Sequence, residues 1–144
     1  MDKPFRGVYS GKTDLSPDTE KLYYLDGAVL SACRVYDFET EKYLPVYDLE
    51  KASGRDAYEL FLSGAKSLLR IENPSADSDR RLIIFRDSFG SSIAPLLVPG
   101  YSEVTLVDIR YIASARLGTL LDFDNADVLF LYSAGVLNNS ETLK

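Results

Sequence analysis

The chain has 144 residues, of which 46% are hydrophobic and 26% are charged, and its formal net charge is -6. This is the composition of one globular domain, too short for two independent cores and unlike a disordered or fibrous chain. The acidic balance, without a basic stripe, argues against nucleic acid as a partner. No apolar run is long enough to cross a bilayer, so we expect no membrane insertion by this chain.

Histidine is absent from the sequence, and Cys33 is the only cysteine. These residues therefore cannot form an internal disulfide, a zinc site of cysteines, a histidine metal site or a complete Ser-His-Asp triad. We predict no metal and no cofactor. Acid-base chemistry near neutral pH would need a shifted carboxylate or lysine, or a residue on another segment.

The first half of the chain, residues 1–72, predicts loops and a β-hairpin. Residues 1–27 contain scattered Gly and Pro and predict little regular structure. Side chains alternate over residues 28–38 and predict a strand, and residues 43–47 predict a second strand after a polar break. Pro45 makes that second strand an edge strand, since proline cannot donate to a ladder. The tyrosines gathered in this half either form a surface for sugars or a partner, or are simply favoured strand residues, which is the commoner case.

A short helix over residues 56–62 and a strand over residues 68–71 complete the first half. A polar loop at residues 73–79 then separates it from a regular half, residues 73–144. That half predicts three strands, each followed by a helix or turn: strands at 82–85, 104–109 and 128–132, helices at 91–97 and 113–121, and a last turn at 138–140. The strands are almost continuously apolar and the gaps suit helical crossovers, so we expect a parallel sheet covered on both faces.

Ser88 follows the first of these strands directly, in the segment that the rest of the chain is organised around. It would lie at the carboxyl end of a central strand, where open α/β sheets bind ligands. Two interpretations stay open. The serine is either a nucleophile or an N-cap of the following helix, and caps are the more frequent use of serine in such turns.

Parallel strands would bring the residues that follow each of them to one edge of the sheet. Ser88, Arg110 and Tyr132 would converge there, a hydroxyl, a guanidinium and a phenol. Arg110 either binds a carboxylate, a phosphate or a developing oxyanion, or forms a structural ion pair with Asp108 or Asp87. The sequence favours neither over the other.

The residues LIIFRDSFGSSIAPLL at 82–97 and YSEVTLVDIRY at 101–111 resemble the DHHW family of bacterial proteins. That family is grouped with the SGNH hydrolases and is similar to the alginate O-acetyltransferases of bacterial envelopes. Residues 5–10 and 16–18 resemble it more loosely. The resemblance implies a flavodoxin-like (SGNH-like) α/β three-layer sandwich with a parallel sheet, one domain over residues 1–144, with an N-terminal β-hairpin region.

The resemblance also implies a set of site residues. Ser88 corresponds to the family's catalytic serine, and Gly90, Arg110 and Tyr132 are expected to bind the oxyanion or the substrate. Three further residues are expected to support the site: Arg86, Asp87 and Asp108. Family members often carry lysine where this chain has Arg86, which keeps the charge but changes the geometry.

One departure from the family matters most. Nothing here matches the Asp-His-His-Trp motif, because the chain has neither His nor Trp. Either this is the carboxyl-terminal part of a longer protein, with the triad histidine elsewhere, or the protein has lost the base; we expect the former.

The resemblance implies an SGNH-type serine esterase or O-acetyltransferase-like domain. Its partner would be an acyl-bearing polysaccharide of the bacterial envelope, and the domain would be inactive as this chain alone. The alternative is a non-catalytic module that binds a glycan or a protein of the envelope.

Overall fold

The computed structural model of the protein describes residues 21–143. Their strands are β1 (Arg34–Asp37), β2 (Lys42–Leu44), β3 (Leu68–Glu72), β4 (Arg81–Arg86), β5 (Glu103–Val107) and β6 (Ala126–Leu131). Their helices are α1 (Ala28–Ala32), α2 (Gly90–Leu97), α3 (Leu117–Leu120) and α4 (Ala134–Leu137). Short 3-10 helices lie at Lys51–Ser53, Ala57–Leu60, Val98–Gly100, Ser114–Arg116 and Ser140–Thr142. The predictions for residues 1–20, including the resemblance at 5–10 and 16–18, fall outside the described residues.

The described strands form one six-stranded mixed sheet in the order β2-β1-β3-β5-β4-β6. The parallel direction predicted for the last three strands is confirmed, since β4 pairs in parallel with both β5 and β6. The sheet as a whole is mixed, because β2, β1, β3 and β5 pair antiparallel in succession, and the predicted hairpin is confirmed in β1 and β2. The hairpin region therefore continues the main sheet.

Connection lengths explain why the first half is antiparallel. Only residues 38–41 separate β1 from β2, and only residues 73–80 separate β3 from β4. A parallel crossover needs about a dozen residues or more, so these short links force the direction of the chain to reverse. The three longer links, residues 45–67, 87–102 and 108–125, each join strands that run in the same direction, and the last two carry α2 and α3.

Several predicted elements are shorter than the pattern indicated. The strand predicted over residues 28–38 is confirmed only for Arg34–Asp37, because Ala28–Ala32 is helical and buries Leu30. The second hairpin strand ends at Leu44, and it is an edge strand as Pro45 indicated. The helix predicted over residues 56–62 is a 3-10 helix capped by Asp56, whose carboxylate accepts the N–H of Tyr58 at 2.9 Å.

The core lies on both faces of the sheet. On one face, Leu30 of α1 and Ala94 of α2 pack on buried side chains of the strands: Val35, Leu69, Ile71, Ile84 and Leu106. On the other face, Ile83, Phe85 and Val107 pack against Leu117 and Leu121 around α3. The alternation along β4 assigns neighbouring residues to opposite faces, as strand geometry requires. Within residues 21–143, the helices are too short to span a bilayer.

Candidate active site

The edge at the carboxyl ends of β4, β5 and β6 gathers most of the predicted site residues. Arg86, at the end of β4, has its Nη1 atom 3.9 Å from Oδ2 of Asp108, which follows β5. The other carboxylate, Asp87, accepts the backbone N–H of Ser133, which follows β6, at 2.7 Å. The ends of the three parallel strands are therefore joined by contacts between polar residues.

Ser88 lies in the tight turn between β4 and α2 and is partly exposed. The N-cap of α2 is Phe89, and no side chain caps this helix. The N-cap interpretation of Ser88 is therefore wrong. Within residues 21–143, no hydrogen bond engages either its hydroxyl or its backbone N–H, although its carbonyl accepts the N–H of Ser91 at 3.2 Å.

Asp87 holds this turn in place and is 2% exposed. Its Oδ1 atom accepts the N–H of Phe89 at 3.0 Å, and its Oδ2 atom accepts the N–H of Ser133. Its backbone carbonyl accepts the N–H of Gly90 at 3.1 Å. Hydrogen bonds to a carboxylate are stronger than hydrogen bonds between two neutral groups. The buried carboxylate of Asp87 therefore fixes both Phe89, which follows Ser88, and Ser133, which follows β6.

Arg86 is completely buried beneath the turn. Its Nη2 atom donates to the carbonyl of Lys66 at 3.1 Å and its Nη1 atom to the carbonyl of Asp87 at 3.4 Å. Burial lowers the pKa of this guanidinium, and the nearby charge of Asp108 opposes that shift. The arginine therefore ties the loop before β3 to the serine turn, from a position that solvent does not reach.

Gly90 gives α2 its close approach to Arg86. A Cβ atom at this position would lie 2.6 Å from Cβ and 2.9 Å from Cγ of the arginine. Distances under 3.0 Å cannot be accommodated without a shift, and here the obstacle is the fixed base of a buried side chain. The glycine thus has a packing role that its sequence context did not reveal, and its N–H is already bound within the turn.

Arg110 forms a bidentate ion pair with Asp108. Its Nε atom donates to Oδ1 at 2.9 Å and its Nη2 atom to Oδ2 at 2.6 Å. This hydrogen bonding raises the pKa of Arg110. Of the two open interpretations, the ion pair is therefore the arrangement found, and its anion is Asp108. The side chain is still 24% exposed, and no hydrogen bond with residues 21–143 engages its Nη1 atom.

Tyr132 follows β6, and its phenol lies close enough to the charges of Asp108 and Arg110 to be affected by them. The hydroxyl is buried and has no hydrogen-bond partner within the described part of the chain. Burial raises the pKa of Tyr132 to about 12, and the charge of Asp108 adds to the shift while Arg110 opposes it. At neutral pH it is a protonated donor without an acceptor.

Tyr58 is a site residue that sequence reasoning missed. It lies in the 3-10 helix of the first half, yet its hydroxyl donates to the carbonyl of Phe89 at 3.0 Å and lies 2.8 Å from the Ser92 hydroxyl. Its ring also contacts that of Phe89, with centroids 6.2 Å apart. Burial raises the pKa of Tyr58. No pattern in the sequence pairs two segments 31 residues apart.

Solved structures resemble this fold, whereas no protein-family model and no curated protein sequence matches the chain. A DHHW family protein from Eubacterium siraeum is 26% identical with a TM-score of 0.61, over 88% of this chain and 43% of that one. The resemblance to the DHHW family is confirmed.

PatB1 from Bacillus cereus is similar to this chain in fold. It is 20% identical with a TM-score of 0.61, over 87% of this chain and 43% of that one. The structure of PatB1 with a sulfonyl adduct is 21% identical with a TM-score of 0.54, over 73% and 38% of the two chains. The chain thus spans about two fifths of the length of these three structures.

Proposed function

We propose that this chain is the serine-bearing part of an SGNH-type ester hydrolase or O-acetyltransferase that acts on acyl groups of a bacterial envelope polysaccharide. One observation carries the proposal. The Ser88 hydroxyl is partly exposed at the carboxyl end of β4 and has no hydrogen bond within residues 21–143, while Asp87 fixes the turn around it.

The proposed reaction uses the groups at this edge in simple roles. The Ser88 oxygen bonds to the ester carbonyl carbon as its proton passes to a base, and the carbon–oxygen bond to the leaving alcohol breaks as the base returns that proton to the alcohol. Water or a sugar hydroxyl then gives its proton to the base and bonds to the acyl carbon, and the bond from that carbon to Ser88 breaks as the serine is protonated again. The backbone N–H of Ser88 has no partner within residues 21–143 and would donate to the oxyanion. Arg110, through Nη1, and the Tyr132 phenol would be further donors. The N–H of Gly90 already donates to the backbone carbonyl of Asp87. The oxyanion role predicted for Gly90 therefore stays a prediction.

The base that accepts the serine proton is the missing part. Both oxygens of Asp87 accept backbone N–H groups, and both oxygens of Asp108 bind Arg110. Neither carboxylate is free to act as the base, and the 144 residues contain no histidine. We propose that the base lies on another segment of a longer protein, in keeping with the larger size of the DHHW protein that the chain matches.

The finer fold assignment belongs to the same proposal. A flavodoxin-like three-layer sandwich requires a parallel sheet with helices on both faces, and β5, β4 and β6 with α2 and α3 support it. The antiparallel strands β3, β1 and β2 would then be an extension at one side of that unit. The envelope location is part of the proposal too.

Chemical rescue tests the proposed function. The purified chain and its Ser88→Ala variant are given a chromogenic acetate ester with and without imidazole, an external base. Without imidazole we expect equal rates. With imidazole we expect the wild type to exceed the variant, with an excess that rises with pH through the neutral range as imidazole deprotonates. Equal rates under all conditions, in folded proteins, would argue against Ser88 as the nucleophile.

A non-catalytic glycan-binding module is the second candidate, and the closed ion pair of Arg110 favours it. Asp108 accepts hydrogen bonds from Nε and Nη2 of Arg110. Fewer N–H groups of Arg110 are therefore available to bind a reacting group. Exposed aromatic rings are also available for sugar stacking, among them Tyr23, 78% exposed, and Tyr43, 52% exposed. Binding of an acetylated polysaccharide that Ser88→Ala leaves unchanged and Tyr43→Ala weakens, with no ester cleavage, would favour the module.

A further inference from the structure

Phe89, the residue after Ser88, is held at both polar groups of its backbone. Its N–H donates to Oδ1 of Asp87 at 3.0 Å. Its carbonyl accepts the Tyr58 hydroxyl at 3.0 Å, and it also accepts the N–H and the hydroxyl of Ser92, at 3.3 and 3.1 Å. Asp87 and Ser92 belong to the same turn or to α2, whereas Tyr58 lies in the link between β2 and β3. Tyr58 therefore holds the carboxyl side of Ser88 from outside the turn.

The short 3-10 helix that carries Tyr58 is itself well anchored. Its N-cap, Asp56, accepts the N–H of Tyr58 at 2.9 Å. Its last residue, Leu60, and the following Phe61 are buried, and the rings of Tyr58 and Phe61 lie 5.2 Å apart between centroids. The carbonyl of Leu60 accepts the N–H of Asp48 at 2.8 Å. The Tyr58 hydroxyl can therefore set the position of the serine turn, because its support does not depend on that turn.

The Tyr58 hydroxyl is a donor at neutral pH, because burial raises its pKa. It lies 2.8 Å from the Ser92 hydroxyl, so the oxygens of Tyr58, Ser92 and the Phe89 carbonyl are all within hydrogen-bond distance of one another. The rings of Tyr58 and Phe89 are also in contact, with centroids 6.2 Å apart. The hydrogen bond and the ring contact together limit the rotation of Phe89, to which Ser88 is bonded.

We propose that Tyr58 is a positioning residue for the reaction of Ser88: its hydroxyl fixes the Phe89 carbonyl and so holds the serine oxygen where it can attack the acyl carbon. This role rests on the proposed function of Ser88. Tyr58 acts through Phe89 and does not touch the substrate. A misplacement of about 1 Å at a reacting atom can slow a reaction by about a hundredfold. Loss of the Tyr58 hydroxyl should therefore slow turnover and leave the binding of the ester unchanged.

Ester cleavage in the presence of imidazole tests this role of Tyr58. Tyr58→Phe keeps the ring contacts and removes the hydroxyl, and circular dichroism checks that the variant is folded in the assay. We expect the Ser88-dependent kcat, the excess over Ser88→Ala, to fall by about tenfold to a hundredfold, with the KM for the ester unchanged.

Tyr101→Phe is the matched control. It removes a tyrosine hydroxyl that donates to Oδ2 of Asp127 at 3.0 Å. Tyr101 precedes β5, so it lies at the opposite end of the parallel strands from the turn that follows β4. The control loses a hydrogen bond of the same kind, far from Ser88, and should keep the kcat of the wild type.

The results separate this role from the proposed function. A wild-type rate equal to that of Ser88→Ala would reject the nucleophile, and the role of Tyr58 with it. A Ser88-dependent kcat that Tyr58→Phe leaves unchanged, or that Tyr101→Phe lowers equally, would overturn the positioning role alone. If Tyr58→Phe does not fold, Ser92→Ala decides, because it removes one of the two partners of the Tyr58 hydroxyl. This variant should lower kcat, and an unchanged kcat would overturn the role of Tyr58.

Discussion

Oδ2 of Asp87 accepts the backbone N–H of Ser133 at 2.7 Å, and this contact joins the serine turn to the residues that follow β6. The same carboxylate accepts the N–H of Phe89 through its other oxygen. Asp87 thus orders two neighbouring strand ends at once. Ser88 thus gains a fixed position while its hydroxyl makes no hydrogen bond to residues 21–143, which is the arrangement that a nucleophile requires.

Replacing Asp87 by Asn should destabilise the protein by about 1–3 kcal/mol, because an amide can accept through one atom only and a buried N–H loses its partner. Asp87→Ala should cost more, since both N–H groups are then orphaned. Urea unfolding measures both changes. Asp56→Asn is the control: this exposed cap accepts the N–H of Tyr58, and Asn caps as well as Asp. Equal losses at positions 56 and 87 would contradict the role of Asp87.

Gly90→Ala should lower the free energy of unfolding by about 1–3 kcal/mol, the usual cost of forcing a methyl group into a packed site. The added Cβ would lie 2.6 Å from Cβ of Arg86. Gly118→Ala is the control, because nothing lies within 4 Å of its Cβ position in α3 and alanine is the better helix former. The control should be as stable as the wild type or more so. Thermal unfolding of the pair checks this, and an unchanged midpoint for Gly90→Ala would disprove the close approach.

Asp108→Asn should cost about 3–5 kcal/mol, because it leaves the fully buried Arg86 without its nearby carboxylate. It also removes the bidentate partner of Arg110. Arg34→Gln breaks an ion pair whose arginine is 67% exposed, and should cost no more than about 1 kcal/mol. Chemical denaturation compares the two. If Asp108→Asn lowers the free energy of unfolding as little as Arg34→Gln does, the carboxylate of Asp108 does not stabilise the buried guanidinium of Arg86.

Tyr132→Phe should change the alkaline part of the stability profile. The pKa of Tyr132 in the folded state, about 12, lies above the ordinary tyrosine value of 10.0. Its contribution to stability is therefore complete below pH 10 and is lost as the pH rises towards 12. Near pH 8 the variant should be as stable as the wild type or slightly more so, because a buried hydroxyl without a partner is removed. Between pH 10 and 12 the wild type should lose more stability than the variant.

Titration of tyrosine absorbance provides an independent check of that shift. The variant should lack one group that ionises near the top of the alkaline range. If the wild type and the variant lose stability in parallel above pH 10, the raised pKa of Tyr132 is wrong.

The sequence predicted the parallel half of the sheet well because the signal there is local. The apolar runs before Arg86, Asp108 and Tyr132 each correspond to one strand, and the lengths between them require crossovers. The predicted cover on both faces is confirmed for β4 and β5 but not for β6, an edge strand with Val128 and Phe130 exposed. The pairing of β3 with β5 and of β1 with β3 could not be predicted. It depends on contacts between distant segments, and the periodicity of each strand is the same in either sheet position.

The same limit applies to the site. The gathering of Ser88, Arg110 and Tyr132 at one edge follows from strand direction alone. The choice of Asp108 as partner of Arg110, two residues away, depends on side-chain orientation, which the sequence left open. Tyr58 and the steric role of Gly90 are products of tertiary packing, and no spacing in the chain signals them.

The most direct measurement of the central claim is the position of a covalent adduct. The chain is treated with an aryl sulfonyl fluoride in the presence of imidazole, and peptide mass spectrometry locates the sulfonyl group. A reactive hydroxyl at the serine turn predicts an adduct on Ser88 that is absent from Ser88→Ala, with none on Ser91 or Ser92 of the same peptide. An unmodified Ser88, or equal labelling of Ser92, would contradict the assignment of the nucleophile.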